Sequence, residues 1–285
     1  MFDYDAERLR SVILGITRSN LSSEAFEWLQ NNLGLSDVKA INTAFTVMPR
    51  KTGKEIINIS LSDEQKVMEI KPGWSVKGWT ADRLCRVCFL MSIDASDQDR
   101  YFKTIENLFL AAEMTELAAL YSSLPVLAYP EIWKMRCAEG IRSNIGIVLE
   151  AIMYANPYPA SHLDEKAWNQ LVMKAFFTDK DIKRIYGFDD RANAELALIL
   201  SDYAHERWAA GRSVNPFLWR STAKFIDSRL EKDLEKVLTE GDMQEKQAAV
   251  LTIYNSNSAP AKQLLENYSD LVASIEKKEL TWDKI

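Results

Sequence analysis

The stretch Ala194-Glu-Leu-Ala-Leu-Ile-Leu-Ser-Asp-Tyr-Ala-His-Glu-Arg-Trp-Ala-Ala210 decides the fold class. It holds no Gly or Pro, and its apolar residues follow a helical period. At 100° per residue Leu196, Ile199, Leu200, Tyr203 and Ala210 fall in one sector, and Arg207 falls among them. A second stripe of Ala197, Leu198, Ala204 and Trp208 includes Ser201 and His205, which leaves Glu195, Asp202 and Glu206 to face water. The pattern predicts a helix packed on two sides, with His205 and Arg207 on packed surfaces and in need of partners.

Two further stretches share this character. From Ile145 to Tyr154 every residue but Glu150 is apolar or Gly, so the helix is expected to be buried all round and Glu150 to require an Arg, Lys or hydroxyl partner. From Asp164 to Phe177, Ala167, Trp168, Leu171, Val172, Ala175 and Phe176 form a core stripe with Asn169 and Lys174 at its margins. Asn156-Pro-Tyr-Pro159 and Gly187-Phe-Asp-Asp-Arg-Ala-Asn193 link these helices, and Asn193 is a natural N-cap.

The rest of the chain extends the helical reading. Only 10 Gly and 8 Pro occur in 285 residues, too few for the turns of an all-β sandwich or barrel. Further helices are predicted over 4–17, 24–32, 37–45, 81–93, 98–112, 116–122, 131–137, 181–185, 216–226, 231–238, 243–254 and 260–269, with Pro49 to Gly53 as a loop. Glu55 to Leu61 is the one strand candidate. The expectation is an all-α, multi-helical protein with little or no β. The final helices resemble HEAT-type hairpins, which leaves an α-solenoid-like arrangement and an irregular helical domain both open. The Gly- and Pro-bearing loop Lys71 to Thr80 suggests an N-terminal helical lobe over 1–75 and a main helical domain over 76–285, or one continuous domain.

Charge and motifs exclude several functions. A net charge of −6 and the lack of a basic stripe argue against nucleic-acid binding. No apolar run reaches the ~18 residues of a membrane span, and the opening MFDYDAERLR lacks the basic and apolar regions of a signal peptide, so an integral membrane protein is not expected and a cytoplasmic location is. His205-Glu206 begins like a zinc-protease helix, but Ala209 stands where the second His belongs and His162 is the only other histidine. Cys85-Arg-Val-Cys88 lies within an apolar helix and reads as core packing. No metal and no cofactor is expected.

The polar residues on or between the core helices remain. Glu150, Asn156, Tyr158, Trp168, Asn169, Lys174, Asp190, Arg191, Asn193, Tyr203, His205, Arg207 and Trp208 crowd into one part of the chain. Such density suits a ligand pocket, while buried pairs, caps and Trp edges are equally routine scaffolding.

These residues also carry a family resemblance. Asn156-Pro-Tyr-Pro159, Leu163-Asp-Glu-Lys-Ala-Trp-Asn-Gln170 with Lys174, Asp190-Arg-Ala-Asn193, and Tyr203-Ala-His-Glu-Arg-Trp-Ala-Ala-Gly-Arg212 with Trp219 are similar to the signature of EboA-domain proteins. So are Ala44-Phe45 with Pro49-Arg50, Pro72-Gly-Trp74 with Gly78-Trp79, Leu124-Pro125, and Glu139-Gly-Ile-Arg142 with Asn144. The resemblance spans roughly residues 40 to 220 and adds Arg142 and Asn144 to the ligand-binding candidates. It implies a place in a secondary-metabolite pathway concerned with a prenylated or cyclitol-type compound or its export. Partners would be a small-molecule intermediate or proteins of the same gene cluster, such as a prenyltransferase and a cyclase-like enzyme.

Two functional expectations follow. One is a non-catalytic helical protein that binds a ligand or other proteins of that pathway. The other is an enzyme acting on a prenylated or cyclitol-like intermediate, with Glu150 or His205 as acid/base and Arg191, Arg207 and Lys174 holding an anionic group. The absence of a recognisable catalytic constellation favours the first.

Overall fold

A computed structural model describes residues 1–285, and it is all-α. The chain divides into two compact units, Met1–Asp164 with Arg184–Tyr186, and Glu165–Lys183 with Gly187–Ile285. The loop from Lys71 to Thr80 lies within the first of them.

The first unit contains α1 (Ala6–Asn20), α2 (Ser23–Asn32), α3 (Val38–Thr52), α4 (Leu61–Ile70), α5 (Ala81–Leu90), α6 (Gln98–Ala111), α7 (Met114–Ser123), α8 (Lys134–Ile141), α9 (Gly146–Met153) and the short α10 (Tyr158–His162). Asp5, Ser22, Asp37, Ser60 and Asp97 each accept a hydrogen bond from a first-turn N–H of α1, α2, α3, α4 and α6, which fixes where those helices begin. Thr80 occupies the same position before α5 without using its side chain. Helix α5 sits centrally, packed against α1, α3 and α7. Leu9, Ile13, Trp74, Val76, Leu84 and Val87 share one buried cluster there.

Three sequence expectations change in this unit. Pro49 to Gly53 is not a loop, because α3 continues through Pro49 to Thr52. A proline inside a helix has no N–H for the carbonyl four residues back. That carbonyl belongs to Phe45, and Arg86 Nε of α5 donates to it at 3.1 Å. The strand candidate shrinks to an isolated bridge between Ile56 and Thr80, with Ile57 N–H to Trp79 C=O at 2.9 Å and Ala81 N–H to Glu55 C=O at 2.8 Å. Ser60 then caps α4, so the extended stretch ends before pairing can propagate. Finally, α9 is not buried all round: Gly146 and Ile147 are exposed, and Glu150 is half-buried.

The second unit contains α11 (Glu165–Phe177), α12 (Ala194–Ala209), a 3-10 helix at Pro216–Phe225, α13 (Ser228–Glu240), α14 (Met243–Tyr254), the short α15 (Ala259–Gln263) and α16 (Ser269–Glu276). The 3-10 helix and α14 form its centre, with α12 packed on the former and α13 on the latter. Leu218, Trp219, Ala248, Ala249 and Val250 are buried there. Asn193 caps α12 by accepting from Leu196 N–H at 2.8 Å, and Asp242 and Glu245 form a reciprocal capping box on α14.

Candidate functional site

The sequence candidates separate between the two units. In the first, Asn156 is buried, and its amide donates to Tyr121 C=O at 3.1 Å and Ala151 C=O at 2.8 Å while its Oδ1 accepts from Tyr158 N–H at 3.0 Å. Tyr158 reaches across to donate to Pro130 C=O at 2.6 Å, and burial raises its pKa. The Asn-Pro-Tyr-Pro motif therefore ties α7, α9 and the start of α10 by satisfying loose carbonyls. Arg142 and Asn144 lie exposed on the link between α8 and α9.

Glu150 belongs to the electrostatic surroundings of Arg83. Burial pushes that guanidinium down to about 10, and the negative charges of Glu150 and Asp82 oppose the shift. Arg83 also donates to Ser122 Oγ at 2.8 Å and stacks 4.4 Å from the Trp79 ring. The three thiols are inert by burial, which drives Cys85 and Cys88 up to about 12 and raises Cys137 further.

In the second unit α11 and α12 bring several candidates together. Asn169 and Asn193 exchange amide hydrogen bonds at 3.3 and 2.8 Å, and the Arg191 guanidinium lies 5.2 Å from the ring of the fully buried Trp168. Trp168 Nε1 has no hydrogen-bond partner. Lys174 stands in the last turn of α11, and Asp190 is exposed before α12. Tyr203 meets Phe177 edge-on at 5.0 Å.

His205 corrects the reading of α12: it is exposed rather than on a packed surface, with 49% of its side chain accessible. Periodicity gives its direction, but the element it faces leaves one edge open. Its Nε2 contacts Asp233 Oδ1 at 2.6 Å, and the wholly buried Ser201 donates to Asp233 Oδ2 at 2.6 Å. The serine thus hydrogen-bonds the acid and not the imidazole, so the order of a Ser-His-Asp relay is not met. The sequence reading missed Asp233. Its signal was present, since Leu230, Leu234 and Val237 set it on the apolar stripe of α13.

The end of α12 opens into a groove. Gly211 takes a φ of 67°, which lets Arg212 N–H return to Arg207 C=O at 2.9 Å and turns the chain back over the last helical turn. Trp208 stacks on Trp219 with centroids 5.9 Å apart, and His205 and Lys236 flank its ring at 5.5 Å each. A cavity of about 270 Å³ lies beside Trp208, bounded by Arg212, Ser213, Lys236 and Glu245. A second, of about 410 Å³, shares Ser213 and Glu245 with it and is bounded by Arg207, Asn215 and Asp242. Arg207 is held by its Nε donating to Ser213 C=O at 2.9 Å. The groove therefore offers the rings of Trp208 and Phe217, the cations Arg207, Arg212 and Lys236, and the carboxylates Asp179, Glu240, Asp242 and Glu245. No group of three His, Cys, Asp or Glu side chains is placed to hold a metal ion.

An all-α chain with an aromatic, charge-lined groove and no helix long and apolar enough to cross a membrane is the class of protein that these features define. Residues 10–223 match the family model described as metabolite traffic protein EboA, and the chain belongs to the EboA family. That description fits a non-catalytic role in metabolite handling. No curated protein and no solved structure matches the chain.

Proposed function

We propose that this protein binds a metabolite of a secondary-metabolite pathway without transforming it and passes it on. The groove at the end of α12 carries the reading. Trp208 is held rigid by stacking on Trp219, and Arg207, Arg212 and Lys236 line the groove with it, while Asp242 and Glu245 are engaged in the cap of α14. An aromatic ring beside several charged donors suits a polar, ring-shaped, hydroxylated body of the cyclitol type better than a bare prenyl chain. The nearby polar cluster supports binding over catalysis, because Ser201 is sealed inside and both Asp233 oxygens are engaged. Proteins of the same pathway would deliver and accept the compound.

The reading is tested in cells lacking the protein and complemented with either the native chain or Trp208→Ala. A carrier leaves the finished compound chemically intact but wrongly distributed when the protein is absent or carries the substitution. Accumulation of a chemically earlier intermediate would instead assign it a reaction step.

A further inference from the structure

The ring at the centre of the groove is already surrounded by the chain's own groups. Trp208 stacks on Trp219 at 5.9 Å with the planes 24° apart, His205 lies tilted 5.5 Å from it, and the Lys236 ammonium stands over the ring at 5.5 Å. A molecule that is to lie on this ring must displace one of the three. Trp219 is 1% exposed and belongs to the core, and His205 is tied to the buried Asp233 at 2.6 Å, so neither leaves without opening the packing. Lys236 differs. Its side chain is 39% exposed on a flexible stem, and its one tie besides the ring is the ion pair to Glu240 on the next turn of α13, itself 67% exposed.

Both ties are weak. A cation over a solvent-accessible ring and an ion pair between exposed side chains are each worth little in water, so the ammonium moves at small cost. The wall it stands on does not move with it. Gly241 N–H donates to Val237 C=O at 3.0 Å to close the turn between α13 and α14, and a Cβ at Gly241 would come within 2.5 Å of that same oxygen. The capping box of Asp242 and Glu245 fixes the start of α14 on the far side of the turn. Val237, Glu240, Gly241 and Glu245 line the cavity of about 270 Å³ together with Lys236 and Trp208. The movable part of this cavity is therefore one side chain.

From this geometry we infer that Lys236 is a movable cover of the Trp208 groove. Its ammonium holds the place over the indole that a ligand takes, and it swings aside, still paired with Glu240, to donate to the ligand's hydroxyl groups. The use of the cover rests on the reading of the groove as a ligand site, but its presence does not. The face of an indole attracts positive charge. The ammonium meets that demand before a ligand arrives, and the C–H face of a hydroxylated ring, polarised by its oxygens, meets it afterwards. Loading exchanges one weak contact for another and so stays reversible, as a protein that hands its cargo on requires. Lys236 lies beyond the family match, which ends at residue 223, so the cover is supplied by the helices that follow the matched segment.

Acrylamide quenching of tryptophan fluorescence in the full chain reads the cover without any ligand, the share of Trp208 being the difference between each chain and the same chain carrying Trp208→Phe. Lys236→Ala raises the quenching constant of that share at least twofold with the melting curve unchanged, and Lys236→Arg, which keeps a cation over the ring, returns it to the native value. The ligand probe is myo-inositol, titrated against the same fluorescence. Glu240→Gln loosens the cover while leaving its ammonium in place, and tightens myo-inositol binding at least twofold. Native quenching in Lys236→Ala, equal gains in Lys236→Ala and Lys236→Arg, or native or weakened affinity in Glu240→Gln would each overturn the cover. Failure of myo-inositol to bind any of the chains, with the quenching changes as expected, would overturn the ligand class proposed for the groove and uphold the cover.

Discussion

The two units treat buried polarity in opposite ways. In the first, Arg86 on α5 is 1% exposed, and it is completed by Asp82 Oδ2 at 2.6 Å, Glu116 Oε1 at 3.8 Å and the Phe45 carbonyl at 3.1 Å. Glu116 also accepts from Glu113 N–H at 2.9 Å, closing the capping box of α7. One guanidinium joins α3, α5 and α7, and it stands in for the N–H that Pro49 lacks. In the second unit the fully buried Trp168 and Ser221 each keep one polar atom unpartnered, and Asp233 engages a His that is half in water. The unpartnered atoms of the first unit, Arg10 Nε and Asn42 Oδ1, belong to side chains that are only half-buried. A closed network is architecture. An unfinished one leaves sealed polar atoms that the fold itself does not satisfy.

The largest effect expected from breaking this contrast is at Arg86. Arg86→Met keeps the length of the side chain but strands Asp82 and Glu116 in the core and leaves the Phe45 carbonyl without a donor. Removing one partner of a buried ion pair costs about 3–5 kcal/mol. Urea unfolding of the variant should show a loss of unfolding free energy of that size, and a loss below ~1 kcal/mol, the range of exposed pairs, would mean that the network is not closed.

Next is Gly140 on α8, where an added Cβ would lie 2.5 Å from Tyr121 and 2.6 Å from Ile152. The glycine lets α8 approach the ring from α7 and the side chain from α9. Neither neighbour is the loose end of a flexible surface chain, since Tyr121 and Ile152 are both buried. Gly140→Ala should therefore cost about 1–3 kcal/mol through overpacking, despite the better helix propensity of Ala. Thermal melting checks it, and a stabilised variant would show that the contact relaxes freely.

How much of this could be read from the chain depends on the range of the interaction. Leu196 and Leu200 of α12 declare themselves through local periodicity, and Asn193 and Ser22 declare helix starts through capping chemistry, because both signals lie within four residues of their effect. Pro49 misleads for the converse reason: its missing hydrogen bond is answered by Arg86, 41 positions from Phe45. His205 misleads likewise, since its exposure depends on how far α13 covers α12 and not on the sector it occupies. Asp82 and Arg86 lie in a helix that reads as apolar, so a buried charge network there carries no local mark. Two asparagines illustrate the remaining ambiguity: Asn156 and Asn169 are equally polar on apolar surroundings, yet the structure engages both with protein groups, Asn156 wholly with backbone and Asn169 with another side chain. By contrast Ser221, a residue without any motif, keeps a buried hydroxyl without a partner, as the motif residue Trp168 keeps its indole N–H.

The smallest effect, and the sharpest test of the contrast, is Asp233→Asn. Asp233 is 4% exposed and carries both Ser201 and His205, so by burial alone it resembles Asp82. Its partners differ. The Ser201 hydroxyl can donate to the Asn amide oxygen in place of the carboxylate, and His205 has water on its open side to replace what the amide does not supply. The substitution should therefore cost about 1 kcal/mol, the net value of an ordinary hydrogen bond, and not the penalty of a stranded charge. Urea unfolding of Asp233→Asn and Arg86→Met under one condition measures the difference directly. Equal losses would place the Asp233 cluster among the closed networks of the core, and the groove beside it would lose its claim to be polarity held open for a ligand.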